Sequence, residues 1–121
     1  MHKNIYLAGP YSADSLIQAM RHIRAGQRAS RALLVAGFNI HCPWLDYQLL
    51  MFGDITVADF QRNSLSFLTY WADLMIVMPG WFNSRGTRAE MESAFQKEVP
   101  VYDHDSSFVV EELGLGIGWW E

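Results

Sequence analysis

The sequence predicts a single α/β domain over residues 1–121, a small doubly wound sandwich with helices on both faces of a mostly parallel sheet of four or five strands. Short apolar runs of strand length alternate with stretches of helical periodicity, a pattern typical of βαβ units. Glycine or proline ends each of the first three runs, as expected where a strand turns away. Hydrophobic residues make up 50% of the chain, which suffices for one compact core.

The first predicted strand covers residues 3–8 and ends at Gly9-Pro10. A helix follows, because Ser15 and Gln18 are spaced as a capping box and helical periodicity continues to about Ala36. Gly37 is placed to end this helix. We expect its buried stripe to consist of the apolar residues Leu16, Met20, Ile23, Leu33 and Leu34.

The remaining elements follow the same alternation. Residues 44–55 have no clear period and are compatible with either a short helix or a lid. The other predicted elements are a second strand at 38–42, a helix at 57–71, a central strand at 74–78, a helix at 86–97, a fourth strand at 99–102 and a short helix from Ser106 or Ser107 to Leu113. Phe60, Leu65, Leu68 and Trp71 are the expected core face of the helix at 57–71.

Charge and composition exclude several classes of function. The net charge of −4 argues against a nucleic-acid surface. One cysteine and four scattered histidines give no metal-ligand spacing, so we expect no metal site and no cofactor. No apolar run reaches the ~18–20 residues of a membrane span, and the N-terminus does not resemble a signal peptide. We therefore expect a cytoplasmic protein without a membrane partner.

The stretch from Leu74 to Ala94 is the predicted chemical centre. An apolar strand, a loop and a helix succeed one another there, which aims backbone amides and a helix N-terminus at an anion. Open α/β sheets bind ligands at this place, beyond the carboxyl ends of their strands. Glu90 would lie in the first turn of the helix, with its carboxylate facing the same crevice.

Glu90 and the loop before it also have structural interpretations. Thr87 and Glu90 are spaced as a capping box, in which the carboxylate would only satisfy a backbone donor. The loop from Gly80 to Thr87 resembles a P-loop superficially, but its glycine spacing is one residue too long and the lysine is missing. Ser84, Arg85 and the amides around Gly86 could still hold one phosphate, or the loop could be a surface turn.

Tyr6, His41 and Trp44 are further candidates for a ligand pocket. Tyr6 lies near the end of the first strand, and the first and central strands of a parallel sheet are commonly neighbours, so its hydroxyl could face Glu90. His41 closes the second strand beside Trp44, where either could stack on or hydrogen-bond to a flat base. A purely structural role is the alternative for the tyrosine and for the histidine.

These motifs together resemble the nucleoside 2-deoxyribosyltransferase-like superfamily. The matching segments are IYLAGPYS at the N-terminus, Ala72-Asp73 before the central strand, and PGW..SRGT..E..SA after it. The superfamily includes deoxyribosyltransferases and deoxynucleoside 5′-monophosphate N-glycosidases, and this chain resembles most its short phage and bacterial members of uncharacterised function. The resemblance covers nearly the whole chain and implies a flavodoxin-like fold.

The resemblance also implies roles for individual residues. Glu90 matches the glutamate nucleophile that attacks the anomeric carbon, and Tyr6 matches the tyrosine that helps to place it. Ser84 stands where the monophosphate hydrolases have serine and the nucleoside transferases have aspartate, so a nucleotide substrate is expected, with Arg85 as an additional phosphate contact. A serine would admit a 5′-phosphate that an aspartate would repel.

The chain departs from the family pattern in two places. The helix before the central strand usually carries an aspartate near the base, but this region reads Gln61-Arg62-Asn63-Ser64. Asn63 or Ser64 could bind a base there without protonating it well, or Asp46, Asp54 or Asp59 could substitute. The loop at Gly9 and Ser12 lacks the arginine of phosphate-binding members, although Ser12 could contribute.

The expected function is hydrolysis of the base–sugar bond of a (deoxy)ribonucleoside 5′-monophosphate through a covalent glycosyl-glutamate. Deoxyribosyl transfer between bases and non-catalytic nucleotide binding are the alternatives. The resemblance further implies a homodimer or a larger homo-oligomer, for which the Trp119-Trp120 tail is a candidate contact. The arginines spaced along the first helix are either a solvated face or a contact with a neighbour's acidic tail.

Overall fold

The computed structural model describes residues 3–10, 15–43 and 52–121. Within these ranges, four strands alternate with three helices, and a short helical turn and a glycine-broken tail follow them. The elements are β1 (Asn4–Ala8), α1 (Leu16–Val35), β2 (Asn39–His41), α2 (Val57–Tyr70), β3 (Leu74–Val77), a 3-10 turn (Trp81–Asn83), α3 (Arg85–Gln96), β4 (Val101–Asp103) and a π-helical turn (Phe108–Glu112).

The four strands form one parallel sheet in the order β2-β1-β3-β4. Ile5 pairs with Ile40 on one side and with Leu74 on the other, which makes β1 and β3 the central neighbours. This is the beginning of the flavodoxin-like order, with its switch point between β1 and β3. The predicted fold class, an α/β flavodoxin-like sandwich, is confirmed.

Alternate residues of the central strands feed two separate cores, one on each face of the sheet. Ile5, Leu7 and Ile76 point to the face covered by α1 and the C-terminal segment. Tyr6 and Met75 point to the opposite face, where Leu68 of α2 packs against them. Because both faces are covered, the central strands are apolar throughout, as buried parallel strands require.

The signals that begin and end α1 behave as the sequence predicts. The Ser15 side chain accepts a hydrogen bond from the Gln18 amide, which satisfies one of the orphan donors of the first turn. Gly37 follows the helix with a φ of 98°, a conformation that glycine adopts without strain. Before β3, the Asp73 carboxylate accepts from the Asn4 amide at 2.8 Å and ties the two central strands together.

The predicted buried stripe of α1 is partly wrong. Leu33 is fully buried, but Leu16, Met20 and Leu34 are 77%, 60% and 56% exposed. A 20-residue helix is about 30 Å long, whereas a five-residue strand spans only about 17 Å. The buried positions therefore cluster in the C-terminal half of α1, from Gly26 to Leu33, and the N-terminal half extends past the sheet.

The C-terminal tail also differs from expectation. Trp119 is only 9% exposed because it packs into the core beneath α1, and its indole nitrogen donates to the His104 carbonyl at 2.8 Å. The partly buried Trp120 ring lies edge-on to His104. Trp119 is therefore taken up by the chain's own core, whereas Ile117 of the same tail is 95% exposed, and the subunit contact predicted for this tail stays a prediction. In the three ranges that the structure covers, no helix is long and apolar enough to cross a membrane.

Candidate active site

Two loops meet at the carboxyl edge of the sheet. Gly9-Pro10 leaves β1, and Gly80 follows β3 with a φ of 85°. A Cβ atom on Gly80 would lie 3.3 Å from Cγ of Pro10, so the close approach of the loops favours glycine there. The chain then makes the 3-10 turn and enters α3.

Helix α3 begins one residue earlier than predicted, and Ser84 caps it. The Ser84 Oγ accepts from the Thr87 amide at 3.2 Å and from the Thr87 hydroxyl at 2.9 Å. Thr87 is therefore the third helical residue and not a cap, which makes the Thr87–Glu90 capping-box interpretation wrong. Glu90 lies in the second turn, not the first, and its carboxylate is not needed to cap this helix.

The Glu90 carboxylate instead meets the Tyr6 hydroxyl, which donates a hydrogen bond to its Oε2. Tyr6 projects from the middle of β1 and is completely buried between the sheet and the helices α2 and α3. Helix α3 brings Glu90 to the same face. The predicted neighbourhood of β1 and β3 thus places these two residues, 84 positions apart in sequence, in direct contact.

A pocket opens beside this pair, between α2 and α3. Its volume is about 80 Å³. That is below the roughly 300–1,000 Å³ of typical small-molecule clefts, so it admits a fragment of a nucleotide rather than the whole molecule. The walls are mostly apolar, and the described lining residues are Pro43, Phe60, Gln61, Ser64, Leu65, Gly86, Ala89 and Glu90.

Burial sets the protonation behaviour of the pair. Removal from water raises the pKa of Glu90 to about 7, although the hydrogen bond from Tyr6 partly opposes this rise. Burial, and then the nearby Glu90 charge, hold the pKa of the Tyr6 hydroxyl well above its usual value of 10.0. Tyr6 is therefore a permanent donor near neutral pH, and Glu90 is a carboxyl group about half ionised at pH 7.

The described residues that could take the place of the family aspartate do not line the pocket. Asp59 caps α2: its carboxylate accepts from the Thr56 amide at 3.0 Å and pairs with Arg62 at 3.0 Å. Asn63 is exposed and is not among the described residues that line the pocket, and Asp54 is exposed as well. The neighbouring Ser64 faces the pocket instead, because one helical residue turns the side-chain direction by about 100°. Asp46 lies outside the described residues.

The other predicted site residues are distributed around this centre. His41 is buried beside Tyr6, with its ring stacked on Phe67 at a centroid distance of 3.7 Å. Gly86 lines the pocket, Thr87 is buried, and the Arg85 side chain is exposed. Gly9 and Gly80 shape the loop contact described above. Ser12 and Trp44 lie outside the described residues.

Sequence reasoning missed most of the α2 wall. Phe60, Gln61, Ser64 and Leu65 recur at the i, i+1, i+4 and i+5 positions that share one helix face. Phe60 and Leu65 were predicted to face the core, and they do lie on the inward side of α2. Ser64 was a sequence candidate for contact with the base, and the periodicity could have identified Gln61 as the other polar member of the same face.

One further cluster of ligand-type side chains lies at the end of β4. Asp103, His104 and Asp105 bring their ligand atoms within 4.8 Å of one another. His104 Nδ1 already lies 2.6 Å from the Asp103 carboxylate, and Asp103 accepts from the Trp81 indole at 3.3 Å. These contacts give the cluster a structural role in joining the β3 loop to the C-terminal segment.

Comparison of the sequence with protein-family models gives no match, and comparison with curated proteins gives none either. The functional conclusion therefore depends on the geometry of the Tyr6–Glu90 pair, on the pocket beside it and on the resemblance of the motifs.

Proposed function

We propose that this chain is an N-glycosidase that hydrolyses the base–sugar bond of a (deoxy)ribonucleoside 5′-monophosphate, with Glu90 as the nucleophile. The observation that supports this most directly is the Tyr6–Glu90 contact at the edge of the pocket. Glu90 has no capping duty, and burial of its charge is unfavourable for folding. A carboxylate kept under these conditions is a candidate for chemistry.

The proposed reaction has two steps. The Glu90 carboxylate attacks the anomeric carbon, a C–O bond forms, and the C–N bond breaks, with its electron pair leaving on the base nitrogen. Water then attacks the anomeric carbon, and the ester C–O bond breaks with its electron pair returning to the Glu90 carboxylate; the proton that the water loses ends on the departed base nitrogen, so that sugar phosphate and neutral base are released, as in retaining glycosidases. Tyr6 holds one carboxylate oxygen and leaves the other available for attack.

Two features of the α3 N-terminus support a monophosphate as substrate. Ser84 is uncharged, and its hydroxyl only accepts in the two hydrogen bonds with Thr87, so its own hydrogen is available to a phosphate. Gly86 forms part of the pocket wall, where a helix N-terminus favours an anion. The exposed Arg85 is the proposed additional phosphate contact.

A non-catalytic nucleotide-binding protein is the second candidate. The stretch Gln61-Arg62-Asn63-Ser64 favours it, because these residues include no carboxylate and can bind a base but protonate it poorly. Glu90 does not cap α3, so a capping role for Glu90 does not support this alternative. Deoxyribosyl transfer between bases would use the same nucleophile and is distinguished by the acceptor.

Base release from purified protein tests the proposal. Each common nucleoside and its 5′-monophosphate, ribo and deoxy, is incubated with the protein, and free base is followed by chromatography. We expect release from monophosphates, lost in Glu90→Gln and retained in Glu92→Gln, an exposed carboxylate of the same helix. Release that requires a second base identifies a transferase. Nucleotide binding without release from any substrate would overturn the hydrolase and leave the binding protein.

We also propose self-association through the N-terminal half of α1. Leu16, Ile17 and Met20 are 77%, 65% and 60% exposed there, an apolar patch of the kind that marks interfaces. Light scattering at micromolar concentration should give a dimer or larger species. Ile17→Asp should dissociate it, whereas Val57→Asp, at an exposed position near the start of α2, should not. A monomeric unsubstituted chain would contradict this proposal.

A further inference from the structure

Ser64 has a buried hydroxyl group that has no role in the proposed reaction. It lies on α2, is only 4% exposed and forms part of the pocket wall together with Glu90. Its hydroxyl is buried and makes no hydrogen bond of ordinary geometry. Serine in a helix usually turns its hydroxyl to solvent or to a preceding carbonyl, so this arrangement calls for an explanation.

The Tyr6 hydroxyl is a functional group that can explain it. Tyr6 uses its hydrogen to bind Glu90, which leaves the phenol oxygen able to accept one. Ser64 is close enough to Tyr6 to lower its pKa, as a donor to the phenol oxygen does, although this effect is smaller than that of burial. A change in the Ser64 side-chain rotamer would be needed to complete the bond.

The groups that face this pair come from α3 and from the end of β2. Glu90 approaches Tyr6 from α3, the Cys42 thiol acts on it electrostatically, and the His41 ring lies beside it at a centroid distance of 5.4 Å. His41 is already stacked on Phe67. Ser64, from α2, is the neutral hydroxyl among these groups, and its hydrogen can point at the phenol oxygen at any pH.

We infer that Ser64 is a positioning residue that donates to the Tyr6 oxygen and, through Tyr6, orients and stabilises the ionised Glu90 carboxylate. The three side chains then form one chain of hydrogen bonds from α2 through β1 to α3. Such chains are cooperative, because each bond polarises the next donor. The inference rests on the proposed role of Glu90, and it gives the buried serine a function other than contact with the base.

The test measures the ionisation of Glu90 without turnover. The chemical shifts of 13C-labelled glutamate carboxyl carbons are followed against pH, and loss of one signal in the same background carrying Glu90→Gln assigns Glu90; the midpoint of that signal's titration reports the Glu90 pKa. In the unsubstituted chain it should lie at about 7. Ser64→Ala should raise it by about half a unit, or about threefold in the ionisation constant, since one hydrogen bond in the chain is lost.

A double-mutant cycle decides whether Ser64 acts through Tyr6. Tyr6→Phe should raise the midpoint further, and adding Ser64→Ala to it should have no additional effect. Ser66→Ala is the matched control, because Ser66 lies two residues further along α2, is exposed and donates to the Asn63 carbonyl at 2.6 Å. Ser64→Thr should restore the midpoint, since it keeps the hydroxyl and the adjoining pocket has room for a methyl group.

Two results would overturn the inference: an unchanged midpoint in Ser64→Ala, or a shift that persists in the Tyr6→Phe background. If Ser64→Ala fails to fold, Ser64→Cys removes the strong donor at nearly the same volume and serves in its place. The proposed function is judged separately by base release. If the midpoint shifts as expected but no base is released, the hydrogen bonds from Ser64 through Tyr6 to Glu90 are supported and the proposed hydrolase activity is contradicted.

Discussion

The second and third helices carry the same short pattern and use it in opposite ways. Thr56 and Asp59 at the start of α2 form a reciprocal capping box, as their spacing predicts. Thr87 and Glu90 have the same spacing in α3, yet Ser84 caps that helix and Glu90 turns inward to Tyr6. A capping pattern therefore acts as a cap only where the helix begins at it.

The two carboxylates consequently have opposite electrostatic environments. Hydrogen bonds from the Thr56 backbone and side chain, and then from Arg62, lower the pKa of the exposed Asp59 below 3.8. Burial raises the pKa of Glu90 from 4.5 to about 7. Asp59 is thus a stabilising surface charge, whereas Glu90 is a charge that the folded chain holds at a cost. The predictions below test this contrast.

The largest expected effect is on the rate of base release as a function of pH. The ionised form of Glu90 is the nucleophile, so the rate should fall about tenfold per pH unit below its pKa of about 7. At pH 5 we expect roughly 1% of the plateau rate. Asp59→Asn should leave this profile unchanged. A rate independent of pH between 5 and 8 would contradict the assignment of Glu90 as the attacking group.

The next effect concerns stability. Because the pKa of Glu90 is higher in the folded chain than its ordinary 4.5, stability should fall as pH rises from about 4.5 to about 7 and then level off. The cost above pH 7 is about 3 kcal/mol. Glu90→Gln should remove it, making the variant more stable than the unsubstituted chain at pH 8 and nearly equal at pH 4. Equal urea midpoints at pH 8 would argue that the carboxylate is well solvated.

The capping box of α2 should respond with the opposite sign. The folded-state pKa of Asp59 is lowered, so its stabilisation is present above pH 4 and is lost as pH falls through the folded-state value. Asp59→Asn should therefore destabilise the chain at pH 7 and have less effect at pH 2. Thr56→Ala removes the cap itself and should cost about 1 kcal/mol. Thermal unfolding of both variants checks this, and a stabilised Asp59→Asn would contradict the capping geometry.

The layers of the fold and the proximity of Tyr6 to Glu90 could be predicted from the sequence, for a physical reason. Apolar runs and helical periods specify which face of each element is buried, and the expected pairing of the first and central strands predicted that Tyr6 could face Glu90. The extent of burial depends on neighbours that periodicity does not encode. Leu16 and Met20 have the correct spacing for a core stripe, yet the sheet beneath them is too short to reach them.

The pocket wall shows the same limit at the scale of one residue. Asn63 and Ser64 are adjacent polar residues on α2, and only the rotation of the assembled helix decides that Ser64 faces Glu90 while Asn63 faces outward. The start of α3 was likewise uncertain by one residue, and this single step separated a capping glutamate from a glutamate that contacts Tyr6. A shift of one residue along a helix thus determines which side chains form the site, and this shift is smaller than the error in a predicted helix boundary.

The smallest expected effect tests whether the α3 N-terminus faces a substrate. Gly86 is the second residue of α3, and a Cβ atom there would meet no protein atom within 4 Å. Gly86→Ala should therefore stabilise the chain by about 0.5–1 kcal/mol through helix propensity. The same methyl group would extend into the pocket, so the KM for a monophosphate should rise while kcat changes little. Arg88→Ala, on an exposed residue of the same helix, is the control. A more stable Gly86→Ala variant with an unchanged KM would mean that the phosphate binds elsewhere. The N-terminus of α3 would then only begin a helix, as the N-terminus of α2 does, and would not bind substrate.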